Sequence, residues 1–230
     1  MPAATKRKFA GVARAIKTSK KRRYLPPVRT SLPSQLRAPY VKAILTYSDL
    51  GRALAGSPAG APTSYVYNLS SPYDPDTTGI GGQATGFDQY MALYEFYTVT
   101  KVTFKFHILN TDTSASGLIG VNLSPVSGTA TDPNVYMRNM VMASSVVDRR
   151  GYDHNYEKGK FSLDISEISK KNIWNDSDFS GTVSTNPTNS WYAIIWACNS
   201  DLSGTGPSTQ WQVTIEYECV FRDAATTANS

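Results

Sequence analysis

A chain of 230 residues is long enough for one domain with a full hydrophobic core and a tail. Its 23 Lys and Arg against 18 Asp and Glu give a net charge of +5, but twelve of the basic residues and no acid precede Asp49, leaving eleven basic and eighteen acidic residues behind. That asymmetry excludes an evenly charged globule and points to a basic arm meeting a polyanion, while no apolar run approaches the roughly 18 residues that would span a membrane.

The first forty residues read as the arm. Two basic clusters, Lys6-Arg7-Lys8 and Lys20-Lys21-Arg22-Arg23, are separated by eleven residues, a spacing that resembles a bipartite nuclear import signal and predicts nuclear import receptors as partners. With Arg14, Lys17, Arg29 and Arg37 they form the candidate nucleic-acid-binding set. Each phosphate that Lys or Arg neutralises releases condensed counterions, so binding is salt-sensitive and indifferent to sequence. Phe9 and Tyr24 are the only aromatic residues before Tyr40, so stacking on bases adds little. Phe9 to Ile16 can form a helix of two turns, too short to persist alone in water, and the arm is expected to be disordered until a polyanion is present. Pro26, Pro27, Pro33 and Pro39 then punctuate an extended linker. Forty residues reach about 130–140 Å stretched, or about 35 Å as a loose coil.

Beyond the arm, strands dominate. Val41 to Tyr47 and Tyr65 to Leu69 come first, each followed by a turn-rich loop, Gly51 to Thr63 and Pro72 to Gly86. Asp88 can then cap a helix in which Tyr90, Leu93, Tyr94 and Tyr97 share a face. In Lys101 to Leu109 the residues Val102, Phe104, Phe106 and Ile108 alternate with Lys101, Thr103, Lys105 and His107, the period-two pattern of a half-buried strand. Leu118 to Leu123 follows, and Asp132 before Pro133 supplies the start of a second short helix through about Met140. Ser144 to Asp148 and Lys160 to Ile165 are further strands. The run Trp191 to Cys198 is apolar on both sides and should be covered on both. Gln210 to Arg222 closes the series, with Trp211, Val213, Ile215, Tyr217, Cys219 and Phe221 on one face.

Eight short strands with loop helices predict an all-β, eight-stranded antiparallel jelly-roll sandwich. Cys198 and Cys219 are expected to be reduced core thiols, since Met1 to Tyr24 has no secretory pattern. On the same reasoning the Asn-x-Ser triplets at Asn68, Asn122 and Asn175 are read as chance.

The segment NLSSPYDPDTTGIGGQATGFDQYMALYEFYTVTKVTFKFHILN, from Asn68, resembles the capsid proteins of small circular single-stranded DNA viruses that encode a replication initiator (circovirus-like), and of related satellite-type viruses. The shared parts are Pro72 to Pro75, Gly81 to Gln83, Gly86 to Tyr90, Tyr94 to Tyr97 and Val99 to Ile108, about 40 residues in all. The resemblance implies a shell domain over 41–222, a flexible tail over 223–230, and self-assembly of sixty copies into an icosahedral particle around a small genome, single-stranded DNA in preference to RNA. Sixty arms would bring about 720 positive charges, enough for on the order of a thousand nucleotides. Virion and host nucleus are the implied locations. Within the motif the glycines are expected to supply turns and the tyrosines to pack the helix on the sheet.

Chemistry of other kinds has little support. His107 and His154 stand in no zinc-ligand or nucleophile spacing, and no GxxxxGK[ST] is present, so no enzyme activity, cofactor or metal is expected. Asp74 with Asp76, and Asp176 with Asp178, could hold calcium between subunits but read better as loop acids. Arg149, Arg150, Lys170 and Lys171 could face the contents of a shell or a neighbouring copy. The alternatives are a non-viral nuclear β-sandwich module that binds nucleic acid or acts as a chaperone, and a carbohydrate-binding jelly roll.

Overall fold

The alternating strands at the two ends of the body, one before residue 110 and one after 208, pair with each other and organise the rest. The computed structural model describes residues 39–54, 61–111, 117–132, 134–136, 147–149, 156–199 and 207–225. Nine strands are present among them: β1 (Tyr40–Leu54), β2 (Thr63–Asn68), β3 (Tyr94–Asn110), β4 (Gly117–Ser124), β5 (Val147–Arg149), β6 (Tyr156–Asp164), the two-residue β7 (Ser180–Gly181), β8 (Tyr192–Asn199) and β9 (Thr209–Ala224). They form two antiparallel sheets, in the order β1-β9-β3-β6 with β7 beside β3, and β2-β8-β4-β5. Apart from β4 to β5 and β6 to β7, successive strands cross from one sheet to the other, which is the wrapped order of a jelly roll. The all-β, eight-strand expectation holds, with β7 as a small addition.

Alternation explains the core. Val102, Phe104, Phe106 and Ile108 of β3, and Trp211, Val213, Ile215, Tyr217 and Phe221 of β9, all point between the sheets and are buried. There they meet Tyr67 of β2, whose ring lies 6.0 Å from that of Phe104. β8 is buried on both sides, as its apolar run requires. Ala193, Ile195 and Ala197 join the main core, while Ile194, Trp196 and Cys198 form a second cluster with Val66, Leu118 and Tyr136 on the outward side of their sheet. Tyr136 stacks on Trp196 with centroids 5.4 Å apart and an interplanar angle of 9°.

Three boundaries differ from expectation. The helix at Asp88 is only five residues, α1 (Phe87–Met91), and its N-cap is Gly86 at φ 88°, a conformation that glycine adopts without strain. Tyr94 and Tyr97 belong to β3, because an aromatic and β-branched run gains more from pairing with β9 than from one further helical turn. The motif's packing role survives: Tyr90 stacks on Phe221 at 4.7 Å and Phe87 meets Tyr97 edge-on at 5.2 Å. β1 runs on past Tyr47 to Leu54 through a register shift at Gly51, where a loop was expected. β6 starts at Tyr156, four residues early, and Ile165 opens a second helix, α2 (Ile165–Ser169). Residues 134–136 are helical with Asp132 accepting from the Asn134 amide, while 137–140 and 144–146 lie outside the described residues.

Asp164 is the N-cap of α2. Its carboxylate accepts from Ser166 Oγ at 2.6 Å and the Glu167 amide at 3.0 Å, and these bonds hold it below the ordinary carboxylate range. Asp164→Ala should cost about 1 kcal/mol at neutral pH in chemical denaturation. Because the folded-state pKa is depressed, the cap's contribution is complete above the unfolded value near 3.9. It fades as pH falls through the lower folded value, so parent and variant should converge in acid.

Cys198 and Cys219 are free and buried, in different clusters. Burial pushes the Cys198 thiol up to about 11 and Cys219 further. At pH 8 iodoacetamide should modify both at least about a hundredfold more slowly in native than in denatured protein, followed by mass spectrometry. Of the three sequon asparagines, Asn68 and Asn122 are buried within β2 and β4, which closes them to glycosylation, and only Asn175 is exposed.

Candidate nucleic-acid interface

Every residue of the predicted binding and import sets, Lys6 to Arg37, lies outside the described residues. Pro39 and Tyr40 lead the chain into β1, the edge strand of the β1-β9-β3-β6 sheet.

Pairing register writes the outward face of that sheet as rows. Leu50, Gln212, His107 and Lys158 lie in one line across the sheet, and Ser48, Thr214, Lys105 and Lys160 in the next. Then come Thr46, Glu216, Thr103 and Ser162, followed by Ile44, Glu218, Lys101 and Asp164. Thr103 and Ser162 share a hydrogen bond of 2.9 Å. The two acids of β9 each take a lysine of β3: Lys105 donates to Glu216, and Lys101 sits 3.5 Å from Glu218. Lys158 and Lys160, both exposed, have no carboxylate within ion-pair distance among the described residues. Around them lies an open depression of about 540 Å³ lined by Lys105, His107, Lys158, Lys160, Gln212 and Leu50. Near the start of β1, Lys42 Nζ stands 4.3 Å from the Trp174 ring centre, and Tyr40 lies 5.9 Å from the same ring.

The motif residues are engaged within the sandwich. Asp76 is fully buried and accepts from Tyr65 Oη at 2.7 Å, from the Thr78 amide at 3.0 Å and from Thr78 Oγ1 at 2.8 Å. Trp211 Nε1 donates to Tyr67 Oη at 2.8 Å, and that hydroxyl donates to Asp49 at 3.0 Å. Burial, with Asp49 beside it, drives the Tyr67 phenol far above its ordinary value. Ser71 donates to Asn186 at 2.6 Å and shares a bond with Tyr97. These contacts tie the loop after β2 to both sheets. The stretch Gly81 to Thr85 lies along β1, with the Thr85 amide donating to Thr46 O at 2.8 Å.

Asp176 caps the Ser177–Phe179 turn through the Asp178 amide and lies 3.9 Å from Lys171. Among the described residues no three acidic, histidine or cysteine side chains gather as a metal cluster. His107 lies on the polar face expected for it, and His154 and Arg150 are outside the described residues. Arg149 is in β5, and Lys170 and Lys171 follow α2, so these candidates are scattered over separate elements.

The lysine pair of β6 was missed in the sequence. Its signal was the i, i+2 spacing of Lys158 and Lys160, broken by Gly159.

No family model matches the chain, and no curated protein does. Among solved structures the chain is similar to one in the cryo-EM structure of mud crab tombus-like virus, with 14% identity, a TM-score of 0.51, and coverage of 95% of this chain and 96% of that one. It is also similar to a chain of turnip yellow mosaic virus, at 10% identity and a TM-score of 0.45 over 87% and 90% of the two chains. A third is a chain of a semi-empty virus-like particle of Macrobrachium rosenbergii nodavirus, at 12% identity and a TM-score of 0.42 over 95% and 97%. At this identity the first match shows the fold alone, a jelly roll.

Proposed function

We propose that this protein is a viral coat subunit, whose sandwich joins with copies of itself into a closed shell and whose arm holds nucleic acid inside. The observation that carries the reading is the junction itself: eleven basic residues and no acid lead, through a proline-rich linker, into the first strand of a single jelly roll. Charge at that density serves a phosphate polymer of any sequence. The sandwich supplies faces and edges that can tile.

The finer reading follows the motif from Asn68. It takes sixty copies per particle, a small single-stranded DNA genome, and passage to the host nucleus by the clusters Lys6-Arg7-Lys8 and Lys20 to Arg23. The test is electron microscopy of recombinant full-length protein. Closed particles of one size are the expected result, and monomers that persist across pH and ionic strength would overturn it in favour of a nuclear binding module. Nucleic acid extracted from purified particles should be digested by DNase and resist RNase.

A further inference from the structure

The two sheets differ on their outward sides. The β2-β8-β4-β5 sheet turns Val66, Leu118, Ile194 and Trp196 outward, and its own chain covers them with Tyr136 and Ala130. The β1-β9-β3-β6 sheet turns out a polar face whose rows from Leu50 to Ile44 lie open among the described residues, while its far end is closed, with Lys42 against Trp174 and with Thr98 and Val220 buried. We propose that this face is the inner wall of the shell, with Lys105, Lys158 and Lys160 binding the phosphates of the packaged strand. The proposal rests on the coat reading and adds which side of the body meets the genome.

Geometry and charge both favour a phosphodiester chain here. Lys105 and Lys160 are direct cross-strand partners, so their Cβ atoms are about 5 Å apart. Lys158 and Lys160 project from the same side of β6 at a spacing of about 6.6 Å. Three lysines thus line one depression. The only carboxylate facing them in the neighbouring row is Glu216, and its pair with Lys105 is 41% and 36% exposed, an arrangement that binds weakly in water. Gln212 and Thr214 add hydrogen-bonding groups, and Leu50, 69% exposed, gives an apolar flank on which a base or sugar can rest. A second copy of the chain suits this half of the face poorly, since lysine is depleted from the centres of protein interfaces and pairing the face with itself would set lysine against lysine.

The experiment compares full-length parent with Lys158→Gln/Lys160→Gln, using a fluorescent single-stranded thymidine oligonucleotide and a salt series. Removing two phosphate contacts should reduce the slope of log affinity against log salt by about 1.4. Lys170→Gln/Lys171→Gln, with the same loss of charge on another element, should leave the slope unchanged. Independently, acetylation of intact particles should spare Lys158 and Lys160 when nucleic acid is present and modify them after nuclease treatment, read by mass spectrometry. An unchanged slope with equal acetylation in filled and emptied shells overturns the proposal. So does a variant that no longer forms shells but binds the oligonucleotide with the parental slope, which would make the face a contact between copies. Should the parent itself form no shells, microscopy reports the failure of the coat reading, while the slope still scores the face.

Discussion

Shells built from a chain that lacks residues 1–38 are expected to form and to carry at least about tenfold less nucleic acid than the parent. Truncation removes eleven of the twelve basic residues that precede Asp49 and none of the core, whose first member is Leu45. The lost contacts correspond to a salt slope of about 7 to 8 on single strands, far more than the few lysines of the sheet face can replace. Absorbance at 260 and 280 nm of gradient-purified particles would fall to the protein-only ratio, and micrographs would show empty shells. Filled shells would place the genome contacts in the body alone. Absence of any shell would mean that the arm helps to join the subunits.

Trp196→Ala should give the largest loss of stability of any single substitution outside the main core, about 3–5 kcal/mol. The indole is fully buried against Tyr136, and its Nε1 donates to Asn122 Oδ1 at 3.1 Å. Asn122 in turn donates to Tyr136 O at 2.8 Å, and Tyr136 Oη accepts from the Ala130 amide at 2.8 Å. One side chain thereby fastens the stretch after β4 onto the sheet. Removing it opens a cavity and leaves Asn122 with an unpaired buried oxygen. The midpoint of thermal unfolding should fall by roughly 6–20 °C for a domain of this size, and chymotrypsin should cut after Tyr136 much sooner. Trp196→Phe, which keeps the stacking and loses the hydrogen bond, should retain most of the stability.

Much of this architecture was legible in the sequence, for a physical reason. β3 and β9 are central strands with one buried face, so strict alternation had to appear, and it gave their presence and their facing, though not the start of β3. The apolar run of β8 likewise announced cover on both sides. Elements failed to show where a neighbour, rather than local pattern, decides. β6 was truncated because Gly159 interrupts it like a turn. In the fold, that position faces the core and is filled by the Phe106 ring, which would lie 2.5 Å from any Cβ there. With the strand cut short, Lys158 fell outside it and the paired lysines went unrecognised. The end of β1 was hidden by the irregularity at Gly51, and α1 was overextended because Tyr94 and Tyr97 satisfy a helical spacing as well as a strand.

The loop lying along β1 has a bearing on how copies meet. A fifteen-residue strand at a sheet margin invites a foreign strand to add to it, and uncontrolled addition produces fibres. Thr85, bonded to Thr46, occupies part of that margin and acts as a guard. Addition of a further strand is thereby hindered along that part of the margin, so loosening the glycine-rich stretch should lay it open and favour threads.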